Sequence, residues 1–187
     1  MGGPGVFLDR DGVINCNRPD YVRCWADFAF LPGVLPALTR LAGLGWPVVV
    51  VSNQAVVGRG LAGQAAVDQI HERMVAAVTQ AGGRIDGVLC CPHRPEDGCG
   101  CRKPQPGLLL EAATRWGLEL GRSYLVGDAA SDVLAAQAVG CHPVLVRTGR
   151  GIEQSRLLPD NGADGVAVVD DLAAAVSWIL ERAASCR

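Results

Sequence analysis

The chain has 187 residues, 49% of them hydrophobic and 19% charged, and its formal net charge is −2 at pH 7. This length suits one domain with a sizeable core, whereas the longest apolar runs are too short to cross a bilayer. The slightly acidic balance supplies no basic field for nucleic acid. We therefore expect a single domain over residues 1–187 that acts as a monomer. We expect it to bind a small molecule, and neither a membrane nor nucleic acid.

The first predicted strand ends in two aspartates one residue apart, Asp9 and Asp11, which are followed at once by Gly12. In an extended strand, residues i and i+2 point the same way, so both carboxylates could aim at one point past its carboxyl end. Two convergent carboxylates repel unless a cation lies between them or one is protonated. The pair indicates a site of the Mg²⁺ type, a nucleophile with a partner acid, or both. An acidic surface turn is the alternative, because Asp-x-Asp-Gly is also good turn chemistry.

Later strands end in polar residues as well. The predicted strands are residues 5–8, 47–51, 86–90, 124–127 and 143–147, with 166–169 as a possible edge strand. Continuous apolar strands that alternate with helical patterns predict a doubly wound α/β fold with a mostly parallel sheet. The second strand stops at Ser52, and the fourth stops at Asp128. Ligands of such sheets bind outside the carboxyl ends of the strands, so both residues are expected beside Asp9 and Asp11.

Apolar residues at helical spacing predict helices between the strands. The patterns lie at residues 34–44, 67–78 and 108–113, and a terminal amphipathic helix is expected over 170–187. The intervals on either side of the second strand leave no room for another folded domain, so we expect no large cap and an open site. His71 has polar neighbours on its helix and is expected to be solvated.

A loop over residues 91–101 carries Cys91, His93, Cys99 and Cys101, four potential nitrogen and sulfur ligands. This set suits a tetrahedral, structural zinc site, and a loop rich in proline and glycine has little core of its own. A disulfide or simple reduced thiols are the alternatives. No signal peptide precedes the first strand, so we expect a cytoplasmic setting, which disfavours disulfides and favours metal. The remaining cysteines outside this region show no ligand spacing and are expected to serve packing or lie exposed: Cys16, Cys24, Cys141 and Cys186.

The polar residues of the sheet edge form a set suited to phosphoryl transfer. One carboxylate could attack phosphorus, and a second could act first as an acid and then as a base. Asp128 would help to hold Mg²⁺, while the Ser52 hydroxyl and the Lys103 ammonium would neutralise phosphoryl oxygens.

This order of motifs resembles the haloacid dehalogenase superfamily of phosphatases. The segments Phe7–Asn15, Val51–Gln54 and Cys101–Pro104 resemble more closely the D-glycero-D-manno-heptose 1,7-bisphosphate 7-phosphatases, whose nearest relatives are histidinol-phosphate phosphatases. The resemblance runs from about residue 5 to about residue 150. It implies the haloacid dehalogenase fold, an aspartyl-phosphate mechanism with Mg²⁺, and a zinc loop in this position.

The resemblance also implies roles for individual residues. Asp9 would be the nucleophile, Asp11 the acid and base, and Mg²⁺ would be held by the Asp9 carboxylate, the Asp11 carbonyl and Asp128. Asp132 would orient Lys103 or a metal-bound water from behind. The implied substrate contacts are Asn17, Tyr21, Asn53, Gln54 and Arg102. Ala129 is a departure, since the heptose enzymes carry a basic residue after this Gly-Asp pair.

Three other functions are compatible with the sequence. They are a histidinol-phosphate phosphatase, a DNA 3′-phosphatase, and a zinc-stabilised binding module whose catalytic site has decayed. The acidic chain lacks aromatic stacking runs for DNA. Decay usually removes the nucleophile or the acid, whereas Asp9, Asp11, Lys103 and Asp128 are all present.

Overall fold

The computed structural model describes residues 2–157 and 165–185, whose strands form one six-stranded parallel sheet. The strands are Val6–Leu8 (β1), Val48–Asn53 (β2), Gly87–Cys91 (β3), Tyr124–Gly127 (β4), His142–Val146 (β5) and Ala167–Val169 (β6). Each lies within two residues of its predicted bounds, so the strand predictions are confirmed. β6 pairs with β5 at the edge of the sheet, as expected.

Helices cover both faces of the sheet. They are Val34–Ala42 (α1), Ala55–Gly58 (α2), Gln64–Gln80 (α3), Gly107–Trp116 (α4), Ala130–Gln137 (α5), Gly151–Gln154 (α6) and Leu172–Ser185 (α7). Strand residues such as Leu8 and Val126 pack on one face with α1, α3 and α7. Their neighbours Phe7 and Leu125 pack on the other face with α4 and α5. This alternation buries the strands on both sides, which explains their unbroken apolar sequences.

The strand order is β3-β2-β1-β4-β5-β6, so the chain first builds the sheet outward from β1 in one direction and then in the other. β1 lies between β2 and β4. The loops after these three strands therefore meet where the order reverses, which is where ligands bind in doubly wound sheets.

The intervals around β2 carry no second sheet within the described residues. The stretch from β1 to β2 holds a short 3₁₀ helix, Trp25–Asp27, and α1, while α2, α3, β3 and the cysteine loop follow β2. The expectation of a fold without a large cap is thereby confirmed. Across the described ranges, no helix combines the length and apolar character that spanning a membrane requires. Cys186 lies outside the described residues.

Candidate active site

Lys103 is buried at the carboxyl edge of the sheet and joins three elements there. Its Nζ donates to Asp9 Oδ1 at 2.9 Å and to the Val51 carbonyl at 2.7 Å. It also forms an ion pair with Asp132 Oδ1 at 2.6 Å. Burial lowers the pKa of Lys103, but the carboxylates of Asp132 and Asp9 outweigh it and raise the pKa above its ordinary value. The ammonium is therefore a fixed positive charge beside Asp9.

Asp128, at the end of β4, offers an oxygen that the protein does not use. Its Oδ2 accepts hydrogen bonds from the Arg150 amide at 2.9 Å and from Asn17 Nδ2 at 3.3 Å. Its Oδ1 is buried and has no hydrogen-bond partner among the described residues. A buried carboxylate oxygen without a partner is costly in the absence of a ligand.

The backbone around Asp128 is built for close approach. A Cβ on Gly12 would lie 2.1 Å from Asp128 Oδ2, and a Cβ on Gly149 would lie 2.2 Å from the same atom. Both glycines also have positive φ, +87° and +59°, which side chains rarely adopt. Only glycine fits at either position.

Asp9, Asp128 and Asp132 each place a carboxylate oxygen within 4.8 Å of the other two. Burial raises the pKa of Asp9 to about 6, with Asp132 and Asp11 adding to the effect against Lys103. Burial, together with the charge of Asp9, raises the pKa of Asp128 to about 7. Lys103 pairs with one oxygen of Asp9 and one of Asp132, but the second oxygen of Asp132 also accepts from the Ala129 amide at 3.0 Å. The pair Asp9 and Asp128 is therefore the part that fits a hard divalent cation such as Mg²⁺.

Asp11 is held by three donors. Asn15 Nδ2 and Gln54 Nε2 each donate to its carboxylate at 2.8 Å, and Arg10 contacts both of its oxygens at 2.9 to 3.0 Å. Burial raises the pKa of Asp11, but the charge of Arg10 and these hydrogen bonds bring it below its ordinary value. Gln54 also donates to Ser52 Oγ at 2.9 Å, so its amide connects two of the predicted catalytic residues.

A cavity of about 750 Å³ opens from this edge of the sheet. Its lining includes Asp9, Asp11, Asn17, Tyr21, Ser52, Asn53, Arg102, Lys103 and Asp132, nine of the predicted residues. Gln54 is buried behind this lining, where it contacts Asp11 and Ser52 and not the cavity. The Asn53 side chain exchanges two hydrogen bonds of 3.0 Å with the Lys103 backbone and thereby anchors that residue.

Four arginines also line the cavity: Arg18, Arg59, Arg102 and Arg150. Three of these were not singled out from the sequence, because they lie far apart along the chain and in loops. Ala129 lines the cavity as well and brings no charge. The opening therefore has a basic rim above an acidic floor, an arrangement that fits a substrate with more than one phosphate.

The cysteine loop brings its four predicted ligands together. Cys91 Sγ lies 3.5 Å from His93 Nδ1 and 3.2 Å from Cys101 Sγ, and Cys99 Sγ lies 3.5 Å from both other sulfurs. A tetrahedron with zinc–sulfur bonds of about 2.3 Å has edges of about 3.8 Å, close to these separations. The sulfurs are not bonded to each other, so the disulfide alternative is wrong for this structure. The cluster could hold zinc.

Comparison with known proteins places this geometry in a family. Residues 100–175 match a family profile described as HAD-hydrolase-like. A D-glycero-beta-D-manno-heptose-1,7-bisphosphate 7-phosphatase of Pseudomonas aeruginosa is 40% identical over 176 residues, covering 94% of this chain and 97% of the relative. The chain belongs to the haloacid dehalogenase-like phosphatases.

Solved structures agree with this assignment of the phosphatase. The crystal structure of D,D-heptose 1,7-bisphosphate phosphatase from B. bronchiseptica, complexed with magnesium and phosphate, matches with a TM-score of 0.89 and 39% identity, covering 97% of this chain and 99% of that one. The corresponding enzyme from Burkholderia thailandensis matches with a TM-score of 0.72 and 35% identity, covering 95% and 98%. The predicted family resemblance is confirmed.

The structure also corrects the expectation for His71 and places Arg10 beside Asp11 in the phosphatase site. His71 is buried, 7% exposed, and its Nε2 lies 3.1 Å from Arg10 Nη1, so the prediction of a solvated side chain is wrong. The signal was available, because His71 lies four residues after Val67 and three before Met74, on the apolar face of α3. Arg10 is 1% exposed, a burial that its position between the two aspartates does not predict.

Proposed function

We propose that this phosphatase removes the 7-phosphate of D-glycero-D-manno-heptose 1,7-bisphosphate through an aspartyl-phosphate intermediate. The observation that carries the proposal is the convergence of Asp9, Asp11, Ser52 and Lys103 on one cavity with an arginine rim. The names of the relatives, at about 40% identity over nearly the whole chain, support the choice of substrate.

In the first step, an Asp9 carboxylate oxygen bonds to phosphorus while the bond from phosphorus to the sugar oxygen breaks. Lys103, held on Asp9 Oδ1, and the Ser52 hydroxyl would take the equatorial phosphoryl oxygens as negative charge shifts. Asp11 gives its proton to the departing alkoxide. The negative charge of a bound phosphate raises the proton affinity of Asp11, which the free protein keeps ionised.

In the second step, a water oxygen bonds to phosphorus and the bond from phosphorus to Asp9 breaks, which frees inorganic phosphate. Asp11, now ionised, takes a proton from that water. Its hydrogen bonds from Asn15 and Gln54 and its contact with Arg10 favour the ionised form that this step needs.

Asp9 and Asp128 are the residues that would hold Mg²⁺, with the Asp11 carbonyl as the further ligand that the family implies. When bound, Mg²⁺ would stabilise the negative charge of the phosphoryl group that is being transferred. Asp132 would orient Lys103 through its 2.6 Å ion pair. The fit of the site to a cation rests on the unpartnered Asp128 Oδ1 and on the two glycines packed against this carboxylate.

The arginine rim is proposed to bind the second phosphate and the sugar hydroxyls. Arg102 is the first candidate, because it directly precedes Lys103 and lines the same cavity. Arg18 pairs with Asp20 at 3.0 Å and Arg59 with Glu96 at 3.9 Å, so both charges are partly engaged. Arg150 contacts Asp128, which is next to Ala129, the position at which the heptose enzymes carry a basic residue. Asn17 and Tyr21 would contact the sugar from the opposite loop.

The cysteine cluster is proposed to bind a structural zinc ion that shapes the wall of the cavity. Arg102 Nη1 donates to the His93 carbonyl at 3.2 Å, which connects the cluster to the substrate side. Zinc ligation requires reduced thiolates, so a cytoplasmic location is part of the proposal.

Phosphate release from a substrate panel tests the function. The panel contains both anomers of the heptose bisphosphate, histidinol phosphate and fructose 1,6-bisphosphate, each with and without Mg²⁺. The proposal predicts the highest kcat/KM for a heptose bisphosphate and a requirement for Mg²⁺. A higher kcat/KM for histidinol phosphate would instead support the function of a histidinol-phosphate phosphatase. Phosphate release without any metal would contradict the proposed role of Asp128.

A further inference from the structure

Arg10 is the largest fully buried side chain among the described residues. It follows Asp9 and precedes Asp11, yet it does not line the cavity. Its Nη2 donates to both oxygens of Asp11, at 3.0 and 2.9 Å, and to Gln54 Oε1 at 3.1 Å. A buried guanidinium needs acceptors around its rigid planar fork, and two of these acceptors belong to the acid–base machinery.

His71 supplies the acceptor on the other branch of the fork. Its Nε2 lies 3.1 Å from Arg10 Nη1. Since an arginine side chain only donates, the imidazole must accept at Nε2 and carry its proton at Nδ1. Burial, and then the charge of Arg10, lowers the pKa of His71 to about 4, so the acceptor form persists at neutral pH.

The connection runs between different parts of the fold. His71 comes from α3, Gln54 follows β2, and Arg10 and Asp11 follow β1. Without His71, the buried Nη1 of Arg10 would have no acceptor among the described residues, as is already the case for Nε. The guanidinium would then turn or admit water, because an unpaired buried donor is costly. Either response moves the group that sets the orientation of the Asp11 carboxylate.

We infer that His71 is a positioning residue for Asp11, which it holds through Arg10 in the orientation for proton transfer to the leaving oxygen. The inference rests on the proposed function, because it requires Asp11 to act as the acid. His71 does not line the cavity. Its effect on catalysis passes entirely through the fork of Arg10.

The leaving group provides a readout that a loss of folded protein cannot imitate. A sugar alkoxide is a poor leaving group and needs the proton of Asp11, whereas p-nitrophenolate departs without one. The parameter kcat/KM for each substrate reports the first irreversible step, the transfer of phosphate to Asp9. The ratio of the two values within one preparation is therefore independent of the folded fraction.

The experiment compares His71→Leu, which fills the space without an acceptor, with His71→Gln, whose amide oxygen reaches as far as Nε2. For His71→Leu we expect kcat/KM on the heptose bisphosphate to fall about tenfold and that on p-nitrophenyl phosphate to change less than about twofold. His71→Gln should restore most of the loss. Glu72→Ala, exposed on the same helix, is the matched control and should leave both values unchanged.

Equal losses on both substrates in His71→Leu, or no rescue by His71→Gln, would overturn the inference while leaving the proposed function intact. His71→Ala replaces the leucine variant if that one does not fold. A wild-type protein that releases phosphate from neither substrate would overturn the proposed function, and the positioning role of His71 with it.

Discussion

The proposed catalytic edge of the sheet, which carries Asp9, Asp11, Ser52, Lys103 and Asp128, and the cysteine loop of residues 91–101 are held together in different ways. At the catalytic edge, Lys103 is buried among groups from three elements, and Asp11 is held by three side chains. In the loop, residues 93–98 are exposed, and Cys91 is the ligand with a place in the core, at the end of β3. Charged contacts and packing hold the side chains of the catalytic edge in place. The cysteine loop has little packing of its own, and its main feature is the four converging nitrogen and sulfur atoms that could bind a metal.

The two regions nevertheless share a boundary. Cys101 is two residues before Lys103, and Arg102 donates to the His93 carbonyl at 3.2 Å. The Gly58 amide also donates to the Pro92 carbonyl at 2.9 Å, which ties the start of the loop to α2. A substitution in the cysteine loop should therefore displace side chains of the catalytic edge. A substitution at that edge should leave the structure of the loop unchanged.

The largest expected effect comes from Asp9→Asn, which removes the proposed nucleophile without adding volume. We expect kcat to fall by roughly a thousandfold or more on every substrate. Zinc content should remain unchanged, because the cysteine loop does not depend on the catalytic edge. Steady-state kinetics, circular dichroism and metal analysis check these three statements.

Asp68→Asn, on the exposed side of α3, is the matched control for Asp9→Asn and should behave as wild type. Retention of more than a few per cent of wild-type kcat would argue against a covalent intermediate on Asp9.

Cys99→Ser should test the connection in the other direction. Loss of one thiolate should weaken the proposed zinc binding. The loop should then become disordered, and kcat/KM should fall by about a hundredfold as Arg102 and Lys103 shift. Amide hydrogen exchange should increase over residues 91–101 and remain low in β1. Zinc chelation of the wild-type protein should reproduce the effect.

Cys24→Ser, at an exposed cysteine outside the loop, is the control for Cys99→Ser. Protein purified without chelators that contains no zinc would show that the loop is ordered by other means.

Arg102→Ala should separate substrate recognition from chemistry at the shared boundary. Loss of one charge-assisted contact costs about 1.5–3 kcal/mol, or roughly one to two decades in kcat/KM for a bisphosphate. The loss on a matching monophosphate should be much smaller, since the second phosphate is missing. Lys103→Ala should lower kcat/KM on both substrates alike, because Lys103 contacts Asp9, the proposed nucleophile.

The same two substrates decide the outcome for Arg102. An equal loss on the bisphosphate and the monophosphate would show that Arg102 serves the loop, through its contact with the His93 carbonyl, more than the second phosphate.

The polar strand ends could be placed at one edge of the sheet from the sequence, because parallel strands carry strong local signals. Strand ends at Asp9, Ser52 and Asp128 follow from unbroken apolar runs, and the rule for doubly wound sheets then places them together. The cysteine cluster was equally accessible, since its ligands lie within eleven residues of one another. In both cases the information is local in the chain, or follows from one general rule of topology.

What the sequence did not reveal depends on long side chains and distant partners. Alternation along a strand predicts that Arg10 points away from Asp11, yet its guanidinium curls back to contact both carboxylate oxygens. The amide of Gln54 was expected to face the substrate but lies behind Asp11. Such arrangements depend on which buried donors and acceptors meet in three dimensions, and spacing alone does not specify them.

The smallest expected effect is on thermal stability at low pH, and it separates the acid sensitivity of the catalytic edge from that of the cysteine loop. Burial lowers the pKa of His71 to about 4, below the ordinary value of 6.5. A histidine with a depressed pKa binds fewer protons in the folded than in the unfolded protein, so the stability it contributes is present above pH 6.5 and is lost as pH falls toward 4. Between pH 7 and pH 5.5 this loss amounts to about 1 kcal/mol, or a decrease of about 2–4 °C in Tm.

His71→Gln has no group that titrates in this range, so its Tm should fall less than that of wild type between the same two pH values. The cysteine loop should be destabilised by another route, because acid competes with the proposed zinc ion for its ligands. Measuring zinc release alongside Tm separates the two routes: the difference between wild type and His71→Gln should appear while zinc is still bound. If the two proteins lose Tm in parallel, and only as zinc is released, the acid sensitivity belongs to the loop and His71 is not the buried neutral acceptor that its contact with Arg10 indicates.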